Sequence, residues 1–204
     1  MKLVIPSCNP VNLKNCVNSA REHGVASEDI IVVADGCGTP VYDVRYIEGK
    51  QPFYFARNVN LGLKQLAGDD ALLVNEDVVF LSDPRKLIQS EYGILSPSIT
   101  GQCGNKEQWP QGRTTIQTVE MVCFICVFIS AETLKTVGLL DERYVGYGFD
   151  DDDYCRRARL LGVKLGVDDS VQVEHSGIPA YRRKRSYETM FWLNKGLFNK
   201  KWNL

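Results

Sequence analysis

The chain has 204 residues, long enough for one domain with a sizeable core, and its apolar (44%), charged (24%) and aromatic (10%) fractions are those of a soluble globular protein. A formal net charge of −1 gives no general attraction to nucleic acid. No apolar run approaches the ~20 residues of a spanning helix, and Met1-Lys2-Leu3-Val4-Ile5-Pro6 is too short before its proline for a signal peptide. Seven cysteines, an odd number and mostly set in apolar patterns, point to free thiols in a reducing, cytoplasmic compartment.

Leu3 to Pro6 reads as a first strand. Asn9-Pro10 then supplies a cap and a proline at the first helical position, Leu13, Cys16, Val17 and Ala20 recur at helical spacing, and Gly24 stops the helix. Ile30 to Ala34 is the second strand, ended by Asp35-Gly36-Cys37-Gly38-Thr39-Pro40, so the chain opens with the strand–helix–strand unit of a parallel sheet. Asp35 is either ordinary Asp-Gly turn chemistry or a ligand contact at the carboxyl end of its strand.

Val44 to Ile47 reads as an edge strand and Pro52 to Ala67 as a helix, with a stripe of Phe55, Val59, Leu63 and Leu66 ended by Gly68. Arg57 and Asn58 lie near its start, where free N–H groups suit an anion or a base edge. Leu72 to Phe80 follows, an apolar run interrupted only by Asn75-Glu76-Asp77. Read as one buried parallel strand, it puts Asn75 and Asp77 on one face and Glu76 on the other.

Ser82-Asp83-Pro84 starts a helix and Ile94 to Pro97 is a strand. Gly101 to Arg113 has no periodicity, and a loop of that length in a compact domain is more often functional than idle. Thr114 to Ile129 holds one or two strands; Cys123 and Cys126 within it read as core residues, because no second CxxC or nearby histidine completes a zinc site. Ser130 caps a short helix to Val137, and Gly146-Tyr147-Gly148-Phe149 leads to four adjacent acids, Asp150 to Asp153. Acids there cap a helix and suit its dipole, but one or two suffice for that. Four repel one another, and the crowding raises a carboxylate's pKa toward that of a general base.

Tyr154, Ala158 and Leu161 mark the buried face of the helix that follows. Val163 to Val167 and Val171 to Val173 read as two short strands, with Glu174-His175-Ser176-Gly177 directly after. His175 is either structural or the completion of a metal site begun by Asp77. From Tyr181 the tail is basic, and Met190, Phe191, Leu193 and Leu197 give an amphipathic helix. Such a helix docks on the body with a solvated face, or makes peripheral contact with a membrane surface or a diphosphate.

From Leu3 to about Gly177 the chain resembles a GT-A glycosyltransferase of the family 2-like group, closest in pattern to its rhamnosyltransferase-type members. Ile30 to Gly36 resembles the strand ending in Asp-Asp-Gly-Ser, with Ala34 in place of the first acid and Asp35 as the second. Ala56-Arg57-Asn58 is similar to the family's Ala-Arg-Asn, and Asn75-Glu76-Asp77 to its degenerate Asp-x-Asp. Asp150 to Arg159 resembles Glu-Asp-x-Asp-x-Cys-x-Arg-Ala-Arg, Gly146 to Gly148 the glycine loop before it, and His175 the late histidine.

The resemblance implies an α/β GT-A (Rossmann-like) fold with a mixed, mostly parallel sheet flanked by helices. Residues of about 1–100 would form the nucleotide-sugar half and about 101–204 the acceptor half of a single domain. It implies a metal-dependent hexosyltransferase moving a sugar, rhamnose or glucose, from a UDP-sugar to a glycan hydroxyl. Asp151 would be the catalytic base; Pro6, Asp35, Arg57, Asn75, Glu76 and Asp77 would line the donor site; Asp77 and His175 would hold Mn²⁺, or Mg²⁺ less well because of the imidazole. Small members encoded by large DNA viruses glycosylate their own capsids, which would make the compartment the host cytoplasm.

A sugar nucleotidylyltransferase would need a glycine- and arginine-rich loop where Ser7-Cys8-Asn9-Pro10 stands, and no P-loop or GxGxxG supports an ATPase or dehydrogenase. The missing acid at Ala34 leaves one alternative from another class, a catalytically silent module that binds a nucleotide sugar or glycan.

Overall fold

The computed structural model describes residues 1–36, 43–146, 148–176 and 185–204, apart from the side chains of 185–187. The turn expected over Cys37 to Pro40, Tyr147 of the glycine stretch, Gly177 and the cations Arg182, Arg183 and Lys184 lie outside the described residues.

In chain order the strands are β1 (Lys2–Ser7), β2 (Ile30–Ala34), β3 (Arg45–Glu48), β4 (Ala71–Val74), β5 (Val78–Phe80), β6 (Ile94–Gly101), β7 (Gln117–Val119), β8 (Cys126–Ile129) and β9 (Leu165–His175). The helices are α1 (Pro10–Glu22), α2 (Phe55–Leu63), α3 (Ala131–Val137), α4 (Asp150–Leu160) and α5 (Arg185–Trp202). Among the described residues one mixed sheet runs β3-β2-β1-β4-β8-β6-β9-β5, with β7 also paired to β9. Its first four strands are parallel, as the strand–helix–strand opening requires, and β6 is parallel to β9; the remaining ladders are antiparallel.

Alternation along the strands divides the core between the two faces. Leu3, Ile5, Val32 and Leu72 pack with Leu13, Cys16, Val17 and Ala20 of α1. Val4, Ile31, Leu73 and Val127 pack on the other face with Val59 and Leu63 of α2 and Tyr154 and Ala158 of α4. Asn9 caps α1 as its position suggests, accepting from the Val11 and Asn12 amides at 3.0 and 3.2 Å.

Five local readings are corrected. Leu161, expected on the buried face of α4, caps its end and is 54% exposed. Leu72 to Phe80 is two strands: the chain turns at Asn75-Glu76-Asp77, where the Val78 amide donates to the Asn75 carbonyl, and β5 pairs antiparallel with β9. The two strands expected between Val163 and Val173 are one, β9, with a register irregularity opposite Pro97 and Ser98. α4 is capped by Phe149 in the left-handed region (φ 71°), leaving all four acids inside its first turn. On α5, Leu193 faces solvent while Asn194 is buried.

Candidate active site

The carboxyl ends of the adjacent parallel strands β2, β1 and β4 bring three acids to one edge of the sheet, the usual ligand edge of an open α/β sheet. Ser7, the last residue of β1, connects them. Its carbonyl accepts the Asp35 amide at 2.8 Å, and its hydroxyl donates to Glu76 Oε2 at 2.6 Å. Pro6 lies one residue earlier, buried and paired with Val33.

Asp35 is 7% exposed, and its Oδ1 has no hydrogen-bond partner among the described residues. Burial pushes its pKa up, against the lowering pull of Gln51 and Arg57. Buried polar atoms normally find partners, so an orphaned carboxylate oxygen at a ligand edge is a functional signal. Arg57 stays on this side of the sheet edge. It donates to the Lys50 carbonyl at 2.9 Å and to the Pro52 carbonyl, and stacks over Tyr54 at 4.8 Å, bracing the 50–54 turn beside Asp35.

Glu76, expected to line the donor site, is engaged by the chain itself. Its Oε2 accepts from Ser7 Oγ, the Cys8 amide (2.9 Å) and the Asn9 amide (2.7 Å), which places the carboxylate against the turn that enters α1. The cause is local: amides around a helix start lack partners within the helix and take an acceptor from elsewhere. Asn75 is held by its backbone, its amide donating to Ile125 at 2.8 Å.

Asp77 and His175, remote in sequence, meet. Val78 pairs with His175 in the β5–β9 ladder, and the Ser176 amide donates to the Asp77 carbonyl at 3.1 Å. Asp77 Oδ1 then lies 3.1 Å from His175 Nε2, with the side chains 8% and 2% exposed. His175 Nδ1 contacts the Gln102 carbonyl oxygen, which can only accept, so Nδ1 carries the hydrogen; Nε2 then donates to Asp77 when the ring is protonated and can ligate a cation when it is neutral. One oxygen and one nitrogen at that separation form the edge of an octahedron with ligand distances of about 2.1 Å, so the pair fits a divalent cation. Among the described residues no group of three or more His, Cys, Asp or Glu side chains is placed to hold a metal. Gly101 makes the approach of β6 feasible, because at φ +82° an added Cβ would sit 2.5 Å from the His175 carbonyl oxygen.

From His175 a line of contacts leads to Asp151. Gln102 precedes Cys103, whose thiol donates to the Asn105 carbonyl at 3.4 Å and reaches Gln108 Oε1 at 3.9 Å. Gln108, fully buried, grips the Cys123 peptide from both sides: Cys123 N donates to its Oε1 at 2.6 Å, and its Nε2 donates to the Cys123 carbonyl at 3.1 Å. The next amide, Phe124 N, points at Asp151 Oδ2, 3.4 Å away. Burial and then the Asp150 charge raise the Asp151 pKa to about 7. Asp152 is pushed to about 7, by burial and by Asp151. Asp153 does different work: fully buried, it binds Arg157 Nε (2.9 Å), Lys201 Nζ (2.7 Å) and Trp202 Nε1 (3.1 Å).

Gln108, Cys103 and Asn194 escaped the sequence reading, since none belongs to a motif; only the length and irregularity of the 101–113 loop pointed toward the first two. That loop is latched by the ion pair of Arg113 and Asp169 at 2.6 Å, with Asp169 also accepting the Gln111 and Arg113 amides. Two open concavities, of about 400 and 490 Å³, lie beside Arg159 and Lys164 and beside Tyr92 and Ser170, and none of the acids of this sheet edge lines them.

No protein-family model matches the sequence. No curated protein is similar to it. Solved structures are similar in fold. The structure of GalNAc-T7 with UDP, GalNAc and Mn²⁺ aligns with a TM-score of 0.78 at 12% identity, over 98% of this chain and 47% of that one. TarS of S. aureus in complex with UDP-GlcNAc gives 0.66 at 14%, over 95% and 65%. The mannosyltransferase PcManGT of Pyrobaculum calidifontis, with GDP-Man and Mn²⁺, gives 0.64 at 14%, over 92% and 58%. This chain thus spans about half of GalNAc-T7 and under two thirds of the other two. The mixed nine-stranded sheet flanked by helices, together with these alignments, shows that the chain has the GT-A glycosyltransferase fold.

Proposed function

We propose that the chain is a metal-dependent glycosyltransferase that moves a sugar from a UDP-sugar to a glycan hydroxyl. The observation that carries this is the meeting of Asp77 and His175 at 3.1 Å on the sheet edge that also holds Asp35, with contacts running on to Asp151. Asp77 and His175 would hold Mn²⁺, and diphosphate oxygens and water would complete its shell. When bound, the cation offsets negative charge on the departing diphosphate.

The chain's own residues do the rest. Asp35 accepts a hydrogen bond from the nucleoside through its unpartnered oxygen. Asp151, with its pKa near neutrality, takes the proton of the acceptor hydroxyl. Gln108 and the Arg113–Asp169 latch fix the loop between them. On this division about 1–100 is the nucleotide-sugar half and about 101–204 the acceptor half. Rhamnose or glucose as the transferred sugar, and a cytoplasmic site of action, follow from the motif resemblance. UDP, UDP-GlcNAc and GDP-Man in the crystals of the fold neighbours support a nucleotide-sugar donor.

The test is a panel of nucleotide sugars incubated with the full chain and Mn²⁺, read as release of nucleoside diphosphate. Release of UDP from at least one UDP-sugar, stopped by EDTA, is expected. Binding of UDP without release from any donor would instead make the chain a nucleotide-sugar-binding module, the alternative that Ala34 leaves open.

A further inference from the structure

Among the described residues, α5 meets the body through the face that carries Phe191, Asn194 and Phe198. Asn194, 2% exposed, accepts from the Val145 amide at 3.2 Å and donates to the Val145 and Gly148 carbonyls at 3.0 Å. Phe191 and Phe198 flank Phe149 with ring centroids at 5.2 and 5.4 Å, and Arg156 stacks over Trp202 at 4.7 Å. At 100° per residue the opposite face carries Thr189, Trp192, Leu193, Gly196 and Lys200, all exposed. Trp192 and Leu193 are 62% and 63% exposed, side by side, and Lys195 Nζ lies 4.9 Å above the Trp192 ring. Side chains that bulky and apolar are not what a merely solvated face selects.

Charge says what covers them. Residues 181–204 hold seven lysines and arginines against one glutamate, whereas the first 180 residues hold seventeen against twenty-four acids. The near-neutral total conceals a cationic end on an acidic body, with Lys201 alone of its described cations paired with Asp141 and Asp153. The run of cations at 182–185 enters here through the sequence alone.

We infer that the outward face of α5 is a docking surface for an anionic lipid bilayer. Trp192 and Leu193 sink into the headgroup boundary while Lys195 and Lys200 meet lipid phosphates and carboxylates, the division of labour of an interfacial helix. No helix among the described residues is long and apolar enough to cross a membrane, so the contact is peripheral. A nucleic acid would use the cations but leave Leu193 uncovered, and a second copy would bring two faces of like charge together.

The experiment sediments the full chain with phosphatidylcholine vesicles, with or without about a third phosphatidylserine, and follows tryptophan emission. Binding to the anionic vesicles is expected to be at least about tenfold tighter than to neutral ones at about 0.1 M salt, and to weaken at about 0.5 M. The emission should shift to the blue. Trp192→Ala with Leu193→Ala should remove that shift and weaken binding by about tenfold. Gly196→Glu, at a position where an added side chain meets nothing within 4 Å, should weaken it too, with the fold and UDP release unchanged. Equal affinity for both vesicles, or none, overturns the inference. So does unchanged binding by the double variant, which would assign the attraction to the 182–185 run. Self-association lost in Trp192→Ala would give the face to a second copy and also overturn it.

Discussion

Asp151 owes its basicity to its surroundings. Burial withdraws water from the carboxylate, Asp150 adds like charge, and the Phe124 and Asp152 amides return only part of that cost. Its ionised form is the one that accepts a proton, so kcat/KM is expected to rise with pH through about 7 and level off above it. Asp151→Asn is expected to keep UDP affinity while losing about 10²–10⁴ in turnover. Turnover like that of the wild type removes Asp151 from the role. The acid cluster was legible in the sequence as chemistry beyond helix capping, because four adjacent charges exceed what a dipole needs; which acid faces the amide of Phe124 was not, since Asp153 is equally a member of the run yet is consumed by Arg157, Lys201 and Trp202.

Glu76 carries the opposite lesson. Reading an alternating strand correctly sent it away from Asp77, although the chain there is a turn, and its carboxylate is engaged by Ser7, Cys8 and Asn9. Its partners are distant in sequence, so no local pattern reveals them. Glu76→Ala removes the acceptor shared by the buried Ser7 hydroxyl and the exposed Cys8 and Asn9 amides at the start of α1, a loss of about 1–3 kcal/mol for a charged acceptor part-buried against them. At about 2–4 °C per kcal/mol for a chain of this size, a drop of several degrees in Tm is expected, with Mn²⁺-dependent UDP affinity nearly kept. Loss of that affinity at an unchanged Tm would return Glu76 to the donor site.

Among the elements, α5 shows how a helix that touches no reacting group can still set the site. Through Asn194 and the Phe149 stack it holds Val145, Gly148 and Phe149, the last in a left-handed conformation that bulky residues avoid, and α4 with Asp151 starts directly after Phe149. Asn194→Ala removes three hydrogen bonds and leaves the Val145 amide without its acceptor. It is expected to lower Tm and to reduce kcat far more than UDP affinity, since the donor-side acids stand on other elements. Equal losses in kcat and affinity would show that α5 supports the whole molecule rather than the start of α4. The amphipathic pattern placed Met190, Phe191 and Leu197 correctly toward the body and Leu193 wrongly. Hydrophobicity alone does not distinguish a residue that faces the core from one that faces a partner.

At the scale of the whole molecule, the parallel half of the sheet was readable from Leu3 to Ala34, because strand–helix–strand order and apolar alternation are local properties. The second half was less so: β9 looks like two strands because Asp168, Asp169 and Ser170 read as a turn, whereas Asp169 is engaged by Arg113 from across the loop. The approach of Asp77 to His175 depends on an antiparallel ladder between β5 and β9 that no periodicity announces; the residue types left it as one of two readings of His175, and the resemblance chose between them. Calorimetric titration of the full chain with UDP, with and without Mn²⁺, tests that convergence most directly, comparing the wild type with Asp77→Asn. Binding that is at least about tenfold tighter with Mn²⁺, and loses that dependence in the variant, is predicted for a pair that holds the cation. UDP binding that is indifferent to Mn²⁺, or equally metal-dependent in Asp77→Asn, would contradict it.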